Sequence, residues 1–295
     1  MRRLYKCLTL TFAAVAMAFS GCGKMPGSEK LVTVSIEPQK YILEQIVGDR
    51  VEVRCLMSNG GNPETYDPTV THLYNLANSL GYIRMGNIGF EDALLDKIHE
   101  ANPELPIFNS SVGITPITGT HSHGTHSHAV VDPHTWTSVK NARIIADNML
   151  AAMEKIDPSG AKTYQKNHDR FVEHLDSLDA AIDTRMASHT GEAFFVWHPS
   201  LSYLARDYGL RQIVLGNHDM KEIAPAQLKA SIDSAMSAGA KVFFVQKDFD
   251  SRQAAVVNAE IGARQVEIHP LSERWEDEIL TIIDALDNDS TATAN

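Results

Sequence analysis

Short apolar runs alternate with segments of helical periodicity along most of the chain. Residues 31–36 read as a buried strand, and Pro38 suits the start of a helix that ends at Gly48. A second strand is predicted at 51–57, followed by the strong loop signal Asn59-Gly60-Gly61-Asn62-Pro63. A helix at 71–80, a strand at 82–85, a helix at 91–100 and a short strand at 107–109 complete a βαβα rhythm, which is that of a parallel sheet. Residues 110–131 are rich in Gly, Ser, Thr and His and read as loop, and a helix follows at 138–156. The longest periodic segment is 161–188. Its apolar positions Tyr164, Phe171, Leu175, Leu178, Ile182 and Met186 are spaced as one face of an α-helix that would span about 40 Å. Beyond it the alternation resumes, with strands at 193–197, 212–215, 241–245 and 265–268 and helices at 225–238 and 251–261. A last helix is expected at 275–286, with a fraying polar tail behind it. The pattern predicts an α/β protein of two lobes with mainly parallel sheets, joined by one long helix, with a ligand cleft between them. The expected boundaries are an N-terminal lobe at 31–158 carrying a His-rich loop at 118–130, a linking helix at 159–189 and a C-terminal lobe at 190–295.

The first thirty residues follow a different pattern. Arg2, Arg3 and Lys6 precede an apolar run from Cys7 to Phe19 that is too short to span a bilayer and ends in small residues. This predicts a signal peptide at 1–21. Phe19-Ser20-Gly21-Cys22 resembles a bacterial lipobox, although Phe19 stands where such motifs usually carry Leu. Cys22 would then be the lipidated first residue, with 22–30 as a flexible tether; an ordinary leader cut nearby is the alternative. Of the three cysteines, only Cys55 would remain as a free thiol, so no internal disulfide is expected and the fold must rest on its core. No other segment is long and apolar enough to cross a membrane.

Composition narrows the partners. The 295 residues are 43% hydrophobic and 21% charged, as in a folded globular protein. The net charge of −11 comes with no basic cluster that could track a phosphate backbone, which argues against nucleic acid. An acidic surface favours cations only weakly, and solubility explains it as well.

Four residues could carry chemistry. Glu64 lies in a loop after a strand, and His134 follows the His-rich stretch in Asp132-Pro133-His134-Thr135-Trp136. His198 and His269 each end a strand, where open α/β sheets bind ligands. Each alone has an ordinary explanation, as a solvated loop carboxylate or a satisfied histidine. Together they place two candidates in each lobe, and three imidazoles with one carboxylate suit Zn²⁺. Spacing alone does not establish the set. The run His121-Ser122-His123-Gly124-Thr125-His126-Ser127-His128 adds a second, His-dense feature at which a polar loop has no packing need for histidine. It is expected to bind metal more weakly than the cleft, because the loop must be ordered on binding.

With these segments the chain resembles the substrate-binding proteins of zinc and manganese ABC importers, the ZnuA/TroA group, over nearly all of the mature sequence. The resemblance is carried by Asp132-Pro133-His134-Thr135-Trp136 through Asn141-Ala142, and by Phe195-Val196-Trp197-His198 followed by Tyr203-Leu204-Ala205-Arg206-Asp207-Tyr208-Gly209-Leu210. The His-rich stretch matches the zinc branch. The resemblance implies two similar α/β lobes bridged by one long helix, capture of free metal in the cleft, and delivery to a membrane permease. It places His134 and His198 at ligand positions. The family's first ligand is normally His in Pro-His-x-Tyr-Glu-Pro, where this chain has Pro63-Glu64-Thr65-Tyr66-Asp67-Pro68. The last is usually Asp before Pro-Leu, where this chain has His269-Pro270-Leu271. One His has become a carboxylate and one carboxylate a His, so a set of Glu64, His134, His198 and His269 keeps the family's donor sum.

The expected function is therefore non-catalytic: a monomeric, membrane-anchored protein of the periplasm or cell surface that binds zinc and passes it to an ABC permease. Neutral imidazole is the binding form, so affinity should fall as pH drops through about 6.5. Three alternatives remain. A manganese or iron carrier would favour a more oxygen-rich site. A zinc hydrolase would need an open coordination position and a general base, and the chain has no H-E-x-x-H motif. An adhesin role has nothing in the sequence for or against it.

Overall fold

The structure is a computed structural model that describes residues 30–57, 63, 66–123, 126–215, 225–246 and 251–291. The expected signal peptide, Cys22 and Glu64 lie outside the described residues. In chain order the first half forms β1 (Leu31–Ile36), α1 (Glu37–Val47), β2 (Glu52–Met57), α2 (Val70–Ala77), β3 (Tyr82–Arg84), α3 (Gly89–Ala101) and β4 (Ile107–Asn109). Next come β5 (Thr118–His123), β6 (His126–Val131), α4 (Val139–Ile156) and the long α5 (Ala161–Met186). The second half forms β7 (Ala193–Val196), α6 (Ser202–Asp207), β8 (Arg211–Val214), α7 (Pro225–Ala238), β9 (Val242–Gln246), α8 (Ser251–Ile261), β10 (Arg264–Ile268) and α9 (Trp275–Thr291).

Among the described residues eight strands form two parallel sheets of like topology, ordered β2-β1-β3-β4 and β10-β9-β7-β8, and β5 and β6 pair apart from them. In each, the first strand is flanked by the second on one side and the third on the other. The strand order therefore reverses beside β1 and beside β7, and such switch points leave a crevice at the carboxyl ends of the strands. His198 comes two residues after the end of β7.

Apolar alternation accounts for the packing of the second sheet. Phe194 and Val196 of β7, with Val242 and Phe244 of β9, join the main core. Phe195, Phe243 and Val245 point the other way into a smaller cluster with Trp197, Ile232 and Val257. The main core runs through both lobes. Tyr164, Phe171, Leu175, Leu178, Ile182 and Met186 of α5 are all buried in it, as the periodicity predicts. It also contains Trp275, Ile279 and Ile283 of α9 together with Ile42 and Ile46 of α1. Among the described residues no helix is long and apolar enough to cross a membrane.

Two expectations need correction. Residues 110–131 are not all loop: β5 and β6 pair antiparallel, from Thr118 opposite Val131 to His123 opposite His126. The segment has few apolar residues, so it lacks the alternation that marks a half-buried strand, yet its Thr and Val residues are compatible with an extended ribbon. The tail also stays ordered further than expected, because α9 continues to Thr291. Residues 287–291 are weak helix formers, but no Gly or Pro among them stops the helix.

Candidate metal centre

His134 is set by its own neighbours. Asp132 Oδ1 accepts both the backbone N–H of His134, at 2.9 Å, and its ring Nδ1–H, at 2.8 Å. Thr137 Oγ1 donates to the His134 carbonyl at 2.9 Å, and Asn141 Nδ2 to that of Thr135 at 3.0 Å. The Ser138 hydroxyl caps α4 by accepting from the Asn141 backbone N–H at 3.0 Å. The polar residues of Asp132–Asn141 thus hold a tight turn that leads directly into α4.

Burial alone would raise the Asp132 carboxyl. The hydrogen bonds and charge of His134, with the Ser202 hydroxyl, outweigh it and hold the group below its usual range. An ionised carboxylate only accepts, so Nδ1 of His134 carries a proton, and in the neutral ring Nε2 presents a lone pair. A carboxylate on the far nitrogen is the usual way to orient a metal-binding imidazole.

His198 meets that lone pair from the other lobe. It follows Trp197, whose N–H donates to Phe244 O at 3.1 Å, and its carbonyl accepts the Ser200 N–H at 2.8 Å. Its Nε2 lies 3.2 Å from Nε2 of His134, and the two rings cross at 77°. Both residues are buried, at 3% and 5% exposure. Two nitrogens bound to one tetrahedral ion at about 2.0–2.1 Å would stand roughly 3.3 Å apart, so the observed spacing fits a shared cation.

The other candidates stand differently. His269 follows β10, its backbone N–H donating to Glu278 Oε1 at 2.6 Å. Its imidazole is 41% exposed, with Nε2 at 3.4 Å from Glu267 Oε1. Glu64 is outside the described residues; of its neighbours, Pro63 is buried and the Tyr66 hydroxyl donates to Leu56 O at 2.5 Å. Positions 121, 123, 126 and 128 lie on the β5–β6 ribbon, where His121 pairs with His128 and His123 with His126. Among the described residues no group of three or more His, Cys, Asp or Glu is arranged to hold one metal ion. The structure thus joins His134 and His198 and leaves the His269 side chain turned to Glu267.

Sequence reasoning missed two contributors. Asp132 sits in the quoted motif, and a carboxylate two residues before a histidine in a turn is a readable signal. Tyr203 has no such signal. Its hydroxyl donates to Asp132 O at 2.8 Å and accepts from the Ile117 N–H at 3.3 Å, across 71 and 86 residues.

Comparison with known proteins bears on this arrangement. The family model described as ZnuA, zinc-uptake complex component A, periplasmic, matches residues 32–293. The iron-binding protein YfeA of Yersinia pestis is 28% identical over 227 residues, which cover 76% of this chain and 71% of that protein. The high-affinity zinc uptake system protein ZnuA of Bacillus subtilis is 25% identical over 294 residues, 95% of this chain and 91% of that one. A crystal structure of ZnuA superposes with a TM-score of 0.80 at 30% identity, covering 88% of this chain and 98% of its own.

Proposed function

The chain belongs to the zinc-uptake complex component A family, and from that premise we propose that it is an extracytoplasmic binding protein that captures Zn²⁺ between its lobes and hands it to the permease of an ABC importer. The observation that carries this reading is the buried His134–His198 pair, with Nε2 atoms 3.2 Å apart and Asp132 behind His134. Glu64 and His269 complete the proposed set. His269 reaches the ion by turning away from Glu267, and Glu64 from the loop beyond β2. Three nitrogens and one carboxylate favour zinc over the more oxygen-seeking manganese. Lobes at 31–158 and 190–295, joined at 159–189, a lipid anchor at Cys22 and a monomeric state belong to the same proposal. So does a weaker zinc site on the hairpin. The β5–β6 register supports it, since positions 121, 123, 126 and 128 all fall on one face of the ribbon.

An iron carrier is the second reading, favoured by the resemblance to the iron-binding YfeA. The metal that the chain carries when isolated from its own cells separates the two, since zinc outcompetes manganese and ferrous iron at most such sites under either reading; zinc is the metal expected. Competition titration of the purified chain with a chromophoric chelator tests the centre itself. His198→Ala should weaken zinc at least 100-fold, and Glu64→Ala should weaken it strongly, as loss of a ligand does. Wild-type affinity in His198→Ala would sink the proposed centre. Wild-type affinity in Glu64→Ala alone would remove only that ligand.

A further inference from the structure

We infer that Trp136 and Trp275 are positioning residues of the metal centre, whose indole N–H groups staple the segment carrying His269 to the segment carrying His134. The inference rests on the proposed role of His269 as a ligand. Trp136 Nε1 donates to Pro270 O at 2.7 Å, and Trp275 Nε1 donates to Trp136 O at 2.7 Å. These contacts bridge 134 and 139 residues of sequence. Both side chains are buried, at 0% and 2% exposure.

The placement of these bonds is what points to the centre. Trp136 is two residues from His134 and its ring packs 5.2 Å from the His134 ring, centroid to centroid. Pro270 directly follows His269. The first turn of α9 supplies the third contact, because Glu278, three residues beyond Trp275, accepts the His269 N–H at 2.6 Å. The backbone at His269–Pro270 is therefore gripped on both sides, by Glu278 at the N–H before it and by Trp136 at the carbonyl after it. What remains free is the imidazole itself, 41% exposed beside Glu267.

Packing alone would not require this arrangement. A phenylalanine would fill most of the same apolar space, while the Trp136 carbonyl lies in the single 3-10 turn Thr135–Thr137 and that of Pro270 in a turn, so neither belongs to a long helix or a sheet ladder. A buried indole N–H aimed at each supplies the missing donor and fixes direction as well as distance. Holding ligand segments before the ion arrives removes an ordering cost from binding, which raises affinity without adding a contact to the ion.

The test is a double-mutant cycle on zinc affinity in the full chain, by chelator competition, using Trp275→Phe, His269→Ala and the pair. Trp275→Phe keeps an aromatic ring, though a smaller one, and deletes the donor, and it should weaken zinc about tenfold, the scale of one lost buried hydrogen bond. In the His269→Ala background the same substitution should change affinity less than twofold, because the segment it positions no longer carries a ligand. A general loss of stability would weaken binding equally in both backgrounds, and that result overturns the inference. So does wild-type affinity in Trp275→Phe. If wild type binds zinc but His269→Ala does also with unchanged affinity, His269 is no ligand and the staple has no centre to serve. If wild type itself does not bind zinc, the proposed function fails first. Trp136→Phe, which frees Pro270 O but keeps the Trp275 bond, is the second variant should Trp275→Phe not fold by circular dichroism; the same background dependence is expected of it.

Discussion

Asp132 gives His134 its chemical character, because one carboxylate oxygen fixes both the turn and the tautomer. Asp132→Asn keeps an acceptor but loses the charge, and its amide can equally present a donor to Nδ1, which would put the ring proton on Nε2 where the ion must bind. Zinc affinity should drop by about 10–100-fold, the usual scale for loss of a partner behind a metal-bound histidine. Chelator competition measures it, and an affinity within twofold of wild type would show that the tautomer is set elsewhere. At this scale the sequence was legible only where chemistry is local. Asp-Pro-His and a histidine ending an apolar run mark His134 and His198, the pair that the fold brings together. Tyr203, Trp136 and Trp275 act through backbone carbonyls far along the chain, and a carbonyl has no residue type to read. The same limit applies to His269, whose strand-end position was readable while its rotamer beside Glu267 was not.

Between elements, the join of α4 to α5 shows how a single carboxylate organises a connection. Asp157 is buried, accepting from Lys30 Nζ at 2.7 Å, Ser159 Oγ at 2.5 Å and the Tyr164 hydroxyl at 2.6 Å. It thereby ties the residue before β1 to the first turn of α5. Burial pushes the carboxyl up, but these three donors and the Lys30 charge outweigh burial and hold it well below the ordinary range. A depressed folded pKa means that Asp157 stabilises the fold at pH values above its unfolded pKa, about 3.9, and that this contribution is lost as pH falls further toward the folded value. Asp157→Asn should therefore cost about 1–3 kcal/mol at pH 7, and the difference from wild type should narrow near pH 3. Denaturant unfolding at the two pH values reads it out; a gap that stays constant would mean that shape, not charge, is what Asp157 supplies. Most elements were visible as apolar periods: β1, β4, α7 and α8 fall where the pattern put them. The β5–β6 ribbon escaped, since its Ser, Thr and His positions carry no apolar face, and the six-residue α6 is too short to show a helical period.

For the whole molecule, the strand order repeats in the two sheets, and polar contacts bridge the halves around the His134–His198 pair. On one side Tyr203 clamps Asp132 and Ile117, and on the other Tyr41 donates to Glu276 Oε2 at 2.9 Å while Arg185 bonds Asp284 and Asp287 of α9. With one core running through both lobes and α5, such latches favour a small closure over a wide hinge. The hairpin leaves this seam at its base, where the Asp132 N–H donates to Ile117 O at 2.8 Å and Tyr203 bonds both arms. Deleting the ribbon would therefore disturb the turn that orients His134, and a cleaner experiment replaces its chemistry while keeping its backbone. Substituting Ser at His121, His123, His126 and His128 removes the four histidines at these paired register positions and preserves the extended, polar character of the strands. Calorimetric titration should then show fewer zinc ions bound per chain, with the tightest site within twofold of wild type. Unchanged stoichiometry would mean that the ribbon holds no metal. Loss of the tightest site would mean that a hairpin histidine reaches the His134–His198 pair, in which case the ribbon and the centre are one site rather than two.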